Sequence, residues 1–336
     1  MEQVLNAPTT LTWSCDIPAL EISTSADTLT LSVLVGSDSI QELTLYPYDG
    51  KVVLWELRDL VETHMVDTEQ HVAVVSVANG SSTLCSFSVI YLTGVMLGDC
   101  STFCENHFLT LSEAKQLVPG SSDILFFYGT ESTATIRVAY NDDGNIRVAT
   151  QNINVDDNLV IISTEELSTL FDVTDITDIK GVTVIVGNRS MYYFINDEIA
   201  PDCVFLCFNY FNVLEVVPIN CATSTNQVGE RTIASVERSA VLASLHHEVE
   251  HEVETAPLSP VQCSAVEQLC ESPSVWLLPG TIPIVITDRT CDLSDERGEM
   301  QSVKFTWRTL SGRRIVSREL RELTRIFTDE YDETYG

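Results

Sequence analysis

The sequence predicts a mainly β protein with short helices: a β-rich α+β chain of tandem β-sandwich-like domains and a distinct C-terminal β-rich domain that ends in a short helix. Three observations carry this reading. The segment TLTLSVLV from Thr28 to Val35 alternates apolar and polar residues, the pattern of a half-buried strand. The same order of parts returns about a hundred residues later, with offsets of 105 from Thr28 to Thr133, 107 from Val52 to Leu159 and 109 from Val75 to Val184. Finally, Pro201–Pro218 (PDCVFLCFNYFNVLEVVP) holds the densest aromatic run of the chain, with Phe205, Phe208, Tyr210 and Phe211, and the pattern changes after it. That run, bounded by prolines, predicts a buried junction strand or pair of strands.

Taken in order, the first unit continues with a strand at ELTLYP and a turn at Tyr48-Asp49-Gly50. In VVLWELRDLVETH, Leu54, Leu57 and Val61 recur at three- and four-residue spacing and predict a short helix. HVAVVSVANGSSTLCSFSVIYL reads as a hairpin with Asn79-Gly80 as its turn. In the second unit the matching pieces are TATIRVAY from Thr133, a turn at Asp143-Gly144, a strand INVDDNLVII, a helix around TEELSTLF and the hairpin GVTVIVGNRSMYYFI with Gly187-Asn188 at its tip. A near-constant offset argues for a duplicated sandwich-like domain; two unrelated β domains with similar grammar are the alternative. The resulting division is residues 1–98, 99–204 and 205–336.

The third unit opens with strand-like runs RTIASVERS and LHHEVEHEVETA. Ser259-Pro260 then reads as a helix start, serine as cap and proline at the first helical position, for the helix VQCSAVEQLCE. Strands follow at SVWLLPG, IPIVITD and MQSVKFTWRTL. In the last, Val303, Phe305 and Trp307 form one face and Lys304, Thr306 and Arg308 the other. SRELRELTRIF closes the chain as a short helix with Leu320, Leu323 and Phe327 on one side.

Hydrophobic residues make up 44% of the 336, enough for two or three cores, and exclude a mainly disordered chain. Net charge is −31, from 49 acidic and 18 basic residues, so the body should repel nucleic acid and anionic membrane. No leader-like start and no apolar run of membrane-spanning length is read, so the expectation is synthesis and folding in the cytoplasm, without membrane insertion. The charge is asymmetric: residues 304–325 hold seven of the basic residues, while residues 1–303 carry 43 acidic ones. A cationic end with Arg313, Arg314, Arg318, Arg321 and Arg325 on an anionic body points to docking on another copy or an acidic neighbour.

The candidate chemistry is thin. His247-Glu248-Val249-Glu250-His251 matches the H-E-x-x-H spacing, which on a helix places two imidazoles one turn apart for zinc. Here Val249, His251 and Val253 alternate with Glu248, Glu250 and Glu252, the pattern of a strand, in which positions four apart lie about 13 Å apart. Cys100 and Cys104 with His107, and Cys203 with Cys207, could form a structural zinc site if the ends of the second unit meet; the competing reading is buried thiols. The acid pairs Asp142-Asp143, Asp156-Asp157 and Glu165-Glu166 are solvated loop residues in a chain this acidic. No phosphate loop, dinucleotide fingerprint or nucleophile elbow is present. The expectation is a non-enzymatic protein with no cofactor, no metal and no catalytic residue set.

At FNYFNVLE (Phe208–Glu215) the chain resembles structural proteins of tailed phages and prophages of gut anaerobes. The likeness continues through VETAPLSPVQCSAVEQLCESPSVWLLPG, PIVITD and QSVKFTWR, with Leu214 standing where the family has proline. The resemblance implies a virion component at the tail or its tip, similar to distal tail proteins, which form rings; its partners are then itself and other tail proteins. A receptor- or glycan-binding adhesion module is the alternative. Exposed aromatic platforms would favour adhesion, whereas burial of Trp13, Trp55, Trp276 and Trp307 would favour assembly.

Overall fold

The computed structural model describes residues 2–8, 10–36, 39–142, 144–173, 175–195, 201–236, 239–291 and 301–309. Over these residues the chain is mainly β with four short helices. The predicted C-terminal helix and the arginines from Arg313 onward lie outside them.

The first group of strands comprises β1 (Gln3–Asn6), β2 (Leu11–Trp13), β3 (Leu20–Ser23), β4 (Leu29–Val35), β5 (Ser39–Leu45), β6 (Lys51–Leu54), β7 (Val72–Asn79) and β8 (Ser82–Ile90), with helix α1 (Leu57–Asp67) between β6 and β7. A five-stranded sheet runs β2-β8-β7-β4-β5 and a small sheet runs β1-β3-β6. Alternation in β4 buries Leu29, Leu31, Val33 and Val35 against Leu20, Ile22 and Val52 of the small sheet, and α1 closes the layer with Leu57, Val61 and Met65.

The second group begins with helix α2 (Cys100–Asn106) and continues with β9 (Ala114–Leu117), β10 (Ser122–Phe126), β11 (Thr133–Asp142), β12 (Asn145–Asn154), β13 (Leu159–Ser163), α3 (Thr164–Phe171), β14 (Ile179–Val186) and β15 (Arg189–Ile195). Its sheets are β12-β11-β14-β15-β9 and β10-β13. This is the strand order of the first group: β9 runs parallel to β15 as β2 runs parallel to β8, and each final hairpin follows a helix. The helices start at Leu57 and Thr164 and the hairpin turns open at Gly80 and Gly187, both pairs 107 residues apart.

The third group comprises β16 (Cys203–Phe208), β17 (Leu214–Ile219), β18 (Cys221–Val236), β19 (Ser239–Thr255), α4 (Pro260–Glu271), β20 (Val275–Leu278), β21 (Ile282–Cys291) and β22 (Val303–Thr309). Its seven-stranded sheet runs β17-β16-β20-β21-β22-β19-β18. Phe205, Leu277, Phe305 and Trp307 form its core with Cys263, Val266 and Leu269 of α4. Helix α4 starts as read, with Ser259 accepting from the Gln262 backbone in a reciprocal capping box and proline in the first turn. Strands β18 and β19 pair from Cys221–Thr255 out to Val236–Ser239, and among the described residues only His251–Glu254 continue into β22. Among those residues the rest of the hairpin pairs with itself as a two-stranded arm.

Three sequence readings shift. Leu54 belongs to β6, paired with Leu20, and the helix begins only at Leu57. Heptad-like spacing ran across a strand-to-helix boundary. INVDDNLVII is not one strand: β12 ends at Asn154 and β13 begins at Leu159, with Asp157 and Asn158 at φ +55° and +58° in the turn. The turn of the first hairpin is Gly80-Ser81, one residue later than Asn79-Gly80, because Asn79 still pairs with Ser82; Gly187-Asn188 is the turn as read.

Candidate functional site at the three-way junction

The aromatic stretch proves to be a hairpin, β16 and β17, whose connecting loop Asn209–Val213 is inserted where the three strand groups meet. Asn212, in the left-handed region at φ +55°, turns the loop and donates from Nδ2 to the carbonyls of Met65 (3.3 Å) and Gln70 (2.8 Å) at the end of α1. Asn209 donates to the Leu109 carbonyl at 2.9 Å, and its Oδ1 accepts from the Phe211 amide. Tyr210 accepts at its carbonyl from the Thr93 amide and donates its hydroxyl to Glu271 of α4 at 2.8 Å. Burial, and then the Glu271 carboxylate, raise the Tyr210 pKa. Gly94 is required here: at φ +73° it lies under the Tyr210 ring, and a Cβ would come within 2.7 Å of Cε1.

Phe211 is the plug. Fully buried, it stacks on Phe103 of α2 with centroids 5.4 Å apart and lies 5.9 Å from Trp13. With Ile90, Leu92, Cys100, Cys104, Leu109 and Val213 these rings make a fourth core to which all three groups contribute. Beside it, Arg189 ties the tip of the second hairpin to α2, donating to the carbonyls of Cys104 (2.7 Å) and Tyr128 (2.6 Å) and pairing with Glu131 at 2.9 Å.

Below the loop lies a buried ionic network. Lys115 of β9 pairs with Asp123 of β10 at 3.0 Å and with Glu215 of β17 at 3.2 Å. Tyr193 donates to Asp123 at 2.7 Å, and Thr110 and Asn209 donate to Glu215 at 2.9 and 2.8 Å. Burial works against the Lys115 charge, but the two carboxylates outweigh it and hold the ammonium above its ordinary range. Burial and the Asp123 charge push the Tyr193 phenol up. Among the described residues Lys115 is the cation shared by these two carboxylates, so removal of its charge leaves both uncompensated. Adjacent to this network is a cavity of about 440 Å³ between the second and third groups, lined by Ser112–Val118, residues of β17, the segment Ala256–Ser259 and the first turns of α4.

The residues weighed for chemistry fall elsewhere. His247 and His251 both lie in β19, so they have strand spacing rather than one helical turn. His251 is buried, stacked on Trp307 at 4.1 Å with Nδ1 3.2 Å from the Thr225 hydroxyl, and burial lowers its pKa. Cys100 and Cys104 sit together in the junction core, with their mutual contact and then burial raising the Cys100 pKa, while His107 stacks on Phe103. Cys203 and Cys207 belong to the third core; Cys207 faces the Glu215 carbonyl at 3.8 Å and Cys203 contacts Cys221. The two cysteine pairs are thus in separate cores and are not brought onto one centre. Asp156-Asp157 occupies the turn before β13 and Glu165-Glu166 the first turn of α3; Asp143 lies outside the described residues. The tryptophans divide: Trp13 and Trp307 are buried, Trp276 is half-buried against Phe208, and Trp55 is 75% exposed, as are Tyr46 (75%) and Tyr48 (88%) nearby in sequence.

No family model matches the chain, and no curated protein matches it. Among solved structures, a chain of the virion of a native gene transfer agent particle is similar over 32% of this chain and 90% of that chain, with 11% identity and a TM-score of 0.23. Calcium binding domain CBD12 of CALX1.1 is similar over 58% of this chain and 100% of that chain, with 8% identity and a TM-score of 0.18. Likenesses at that level bear on neither mechanism nor partners. Among the described residues no helix is long and apolar enough to cross a membrane.

Proposed function

We propose that the chain is a non-enzymatic structural component of a phage or prophage virion, a tail or tail-tip protein that joins copies of itself and other tail proteins into a ring. One observation carries the reading: the stretch that resembles phage tail proteins, Phe208–Glu215, is the piece that locks three β assemblies into one body through Phe211, Asn209 and Asn212. The two strand groups of like order, β1–β8 and β9–β15, and the third group, β16–β22, are the parts so joined. The β18–β19 arm fits the same role, because a two-stranded hairpin beyond its sheet is marginal in water and gains from a neighbour. The basic residues Arg318, Arg321 and Arg325 supply a charge complement to the acidic body.

Negative-stain imaging and sedimentation of the purified protein test this directly. Wild type is expected to form closed rings that dissociate at 1 M salt, where the Debye length is about 3 Å. Changing Arg318, Arg321 and Arg325 together to Glu is expected to give monomers with unchanged circular dichroism. A wild type that is monomeric at every concentration and missing from purified particles refutes the reading. The adhesion alternative keeps one specific support, the exposed Trp55, Tyr46 and Tyr48; saturable binding of a host-surface glycan, lost on changing Trp55→Ala, would favour it.

A further inference from the structure

The cavity beside the Lys115 network has a construction that the assembly reading does not use. Among the described residues strand β9 ends the order of its sheet and pairs with β15 alone, which leaves its other edge without a strand, and every residue from Ser112 to Val118 lines the cavity. Across the space stand Val217 and Pro218 of β17, Leu258, and Ala265 and Val266 of α4, giving a largely apolar wall. Two buried polar atoms of the lining lack a hydrogen-bond partner: Gln116 Nε2, a donor on β9, and Asn220 Oδ1, an acceptor just past β17. An unpaired buried donor and an unpaired buried acceptor are each costly, and the amide groups of a peptide supply a mate for either side chain once it turns into the cavity. The charged lining is one lysine, Lys115, against three carboxylates, Glu113, Asp123 and Glu215, of which Glu113 is exposed.

We propose that this cavity is a docking site for an extended peptide segment of a partner protein, added as a short strand along the open edge of β9, with a lysine or arginine of the segment at Glu113. The four residues of β9 give about 13 Å of edge, room for three or four residues of an added strand. Main-chain pairing with β9 supplies affinity, alternate apolar side chains fill the space against Val217, Leu258 and Val266, and the Gln116 and Asn220 side chains fix the register. The site is independent of the virion reading, since it stands on β9 and α4 and not on ring formation.

The test pans the full-length protein against a displayed library of random heptapeptides, with the Ala265→Phe variant used to discard sequences that bind elsewhere. Synthetic versions of the retained peptides are then titrated by calorimetry into wild type and Gln116→Leu. Gln116→Leu is close to isosteric and removes an unpaired buried donor, so its thermal midpoint is expected to equal or exceed that of wild type. Retained peptides are expected to carry alternating apolar residues and at least one basic residue, to bind Gln116→Leu about tenfold or more weakly, and to slow amide exchange at Ala114–Leu117. The proposal fails if no peptide distinguishes wild type from Ala265→Phe. It fails equally if the retained peptides bind Gln116→Leu as tightly as wild type, or leave exchange in β9 unchanged.

Discussion

Lys115 is the residue on which the burial of Asp123 and Glu215 depends. Its substitution by Met keeps the stem and deletes the charge, leaving two carboxylates at 4% and 3% exposure without a cation. Loss of one partner from a buried ionic set costs about 3–5 kcal/mol, so Lys115→Met is expected to lower the urea midpoint sharply. The triple change Lys115→Met, Asp123→Asn, Glu215→Gln should recover much of that loss; equal instability of single and triple variants would show that the network matters only as packing. His71 makes a second, pH-dependent contribution. It packs edge-on against Phe126 with ring centroids 5.6 Å apart, and burial depresses its pKa from 6.5 to about 4. Between those values the unfolded chain takes up a proton that the folded chain refuses, so the stability from a neutral His71 is complete above pH 6.5 and is lost as pH falls toward 4. Burial shifts His251 the same way. His71→Phe keeps the ring contact without the proton, and its stability should fall less steeply than wild type from pH 6.5 to 4.5 in denaturant titrations; superimposable slopes would remove His71 from the account.

The loop Asn209–Val213 concentrates the coupling between elements. Phe211→Ala empties a fully buried ring site bounded by Trp13 and Phe103 and is expected to cost about 3–5 kcal/mol. Because that ring belongs to all three groups, the variant should also split one calorimetric transition into at least two; a single transition at lower temperature would mean that the groups are held together elsewhere. The elements themselves were legible wherever one local rule acted alone. Helix α3 was readable as TEELSTLF because Leu167 and Leu170 keep helical spacing after Ser163, whose side chain caps the Glu166 amide. The start of α4 at Ser259-Pro260 was readable for the same reason, though the reciprocal bond from Gln262 was not. Boundaries failed where two rules overlapped, at Leu54, which satisfies both the alternation of β6 and the spacing of α1. The junction was visible as an aromatic run, but not the position of Phe211 against Trp13, which lies almost two hundred residues earlier. Least legible was the Lys115 network. Its partners lie 8 and 100 residues away along the chain, and a lone lysine between Ala114 and Gln116 reads as a solvated strand position.

Across the whole molecule the dominant long-range term is self-repulsion from a net charge of −31. Raising salt from about 0.02 M to 0.5 M screens exposed pairs beyond a few ångströms. The thermal midpoint of the protein should therefore rise with salt, and the buried Lys115 pairs, shielded from solvent, should not reverse the trend; a falling midpoint would mean that exposed ion pairs such as Lys304–Glu254 outweigh the repulsion. The junction core also has an order of manufacture written into it. Trp13, Leu92, Cys104 and Leu109 leave the ribosome long before Phe211 and Val213, which complete the same core. Through that interval the growing chain carries an apolar socket open to water, the kind of surface that chaperones retain and proteases find. A chain broken off before residue 209 keeps that socket for good, so a truncated product is marked as unfinished by its own surface. Release of a fragment of residues 1–204 should bind an apolar dye that the full chain does not, and addition of a peptide spanning residues 205–219 should displace it.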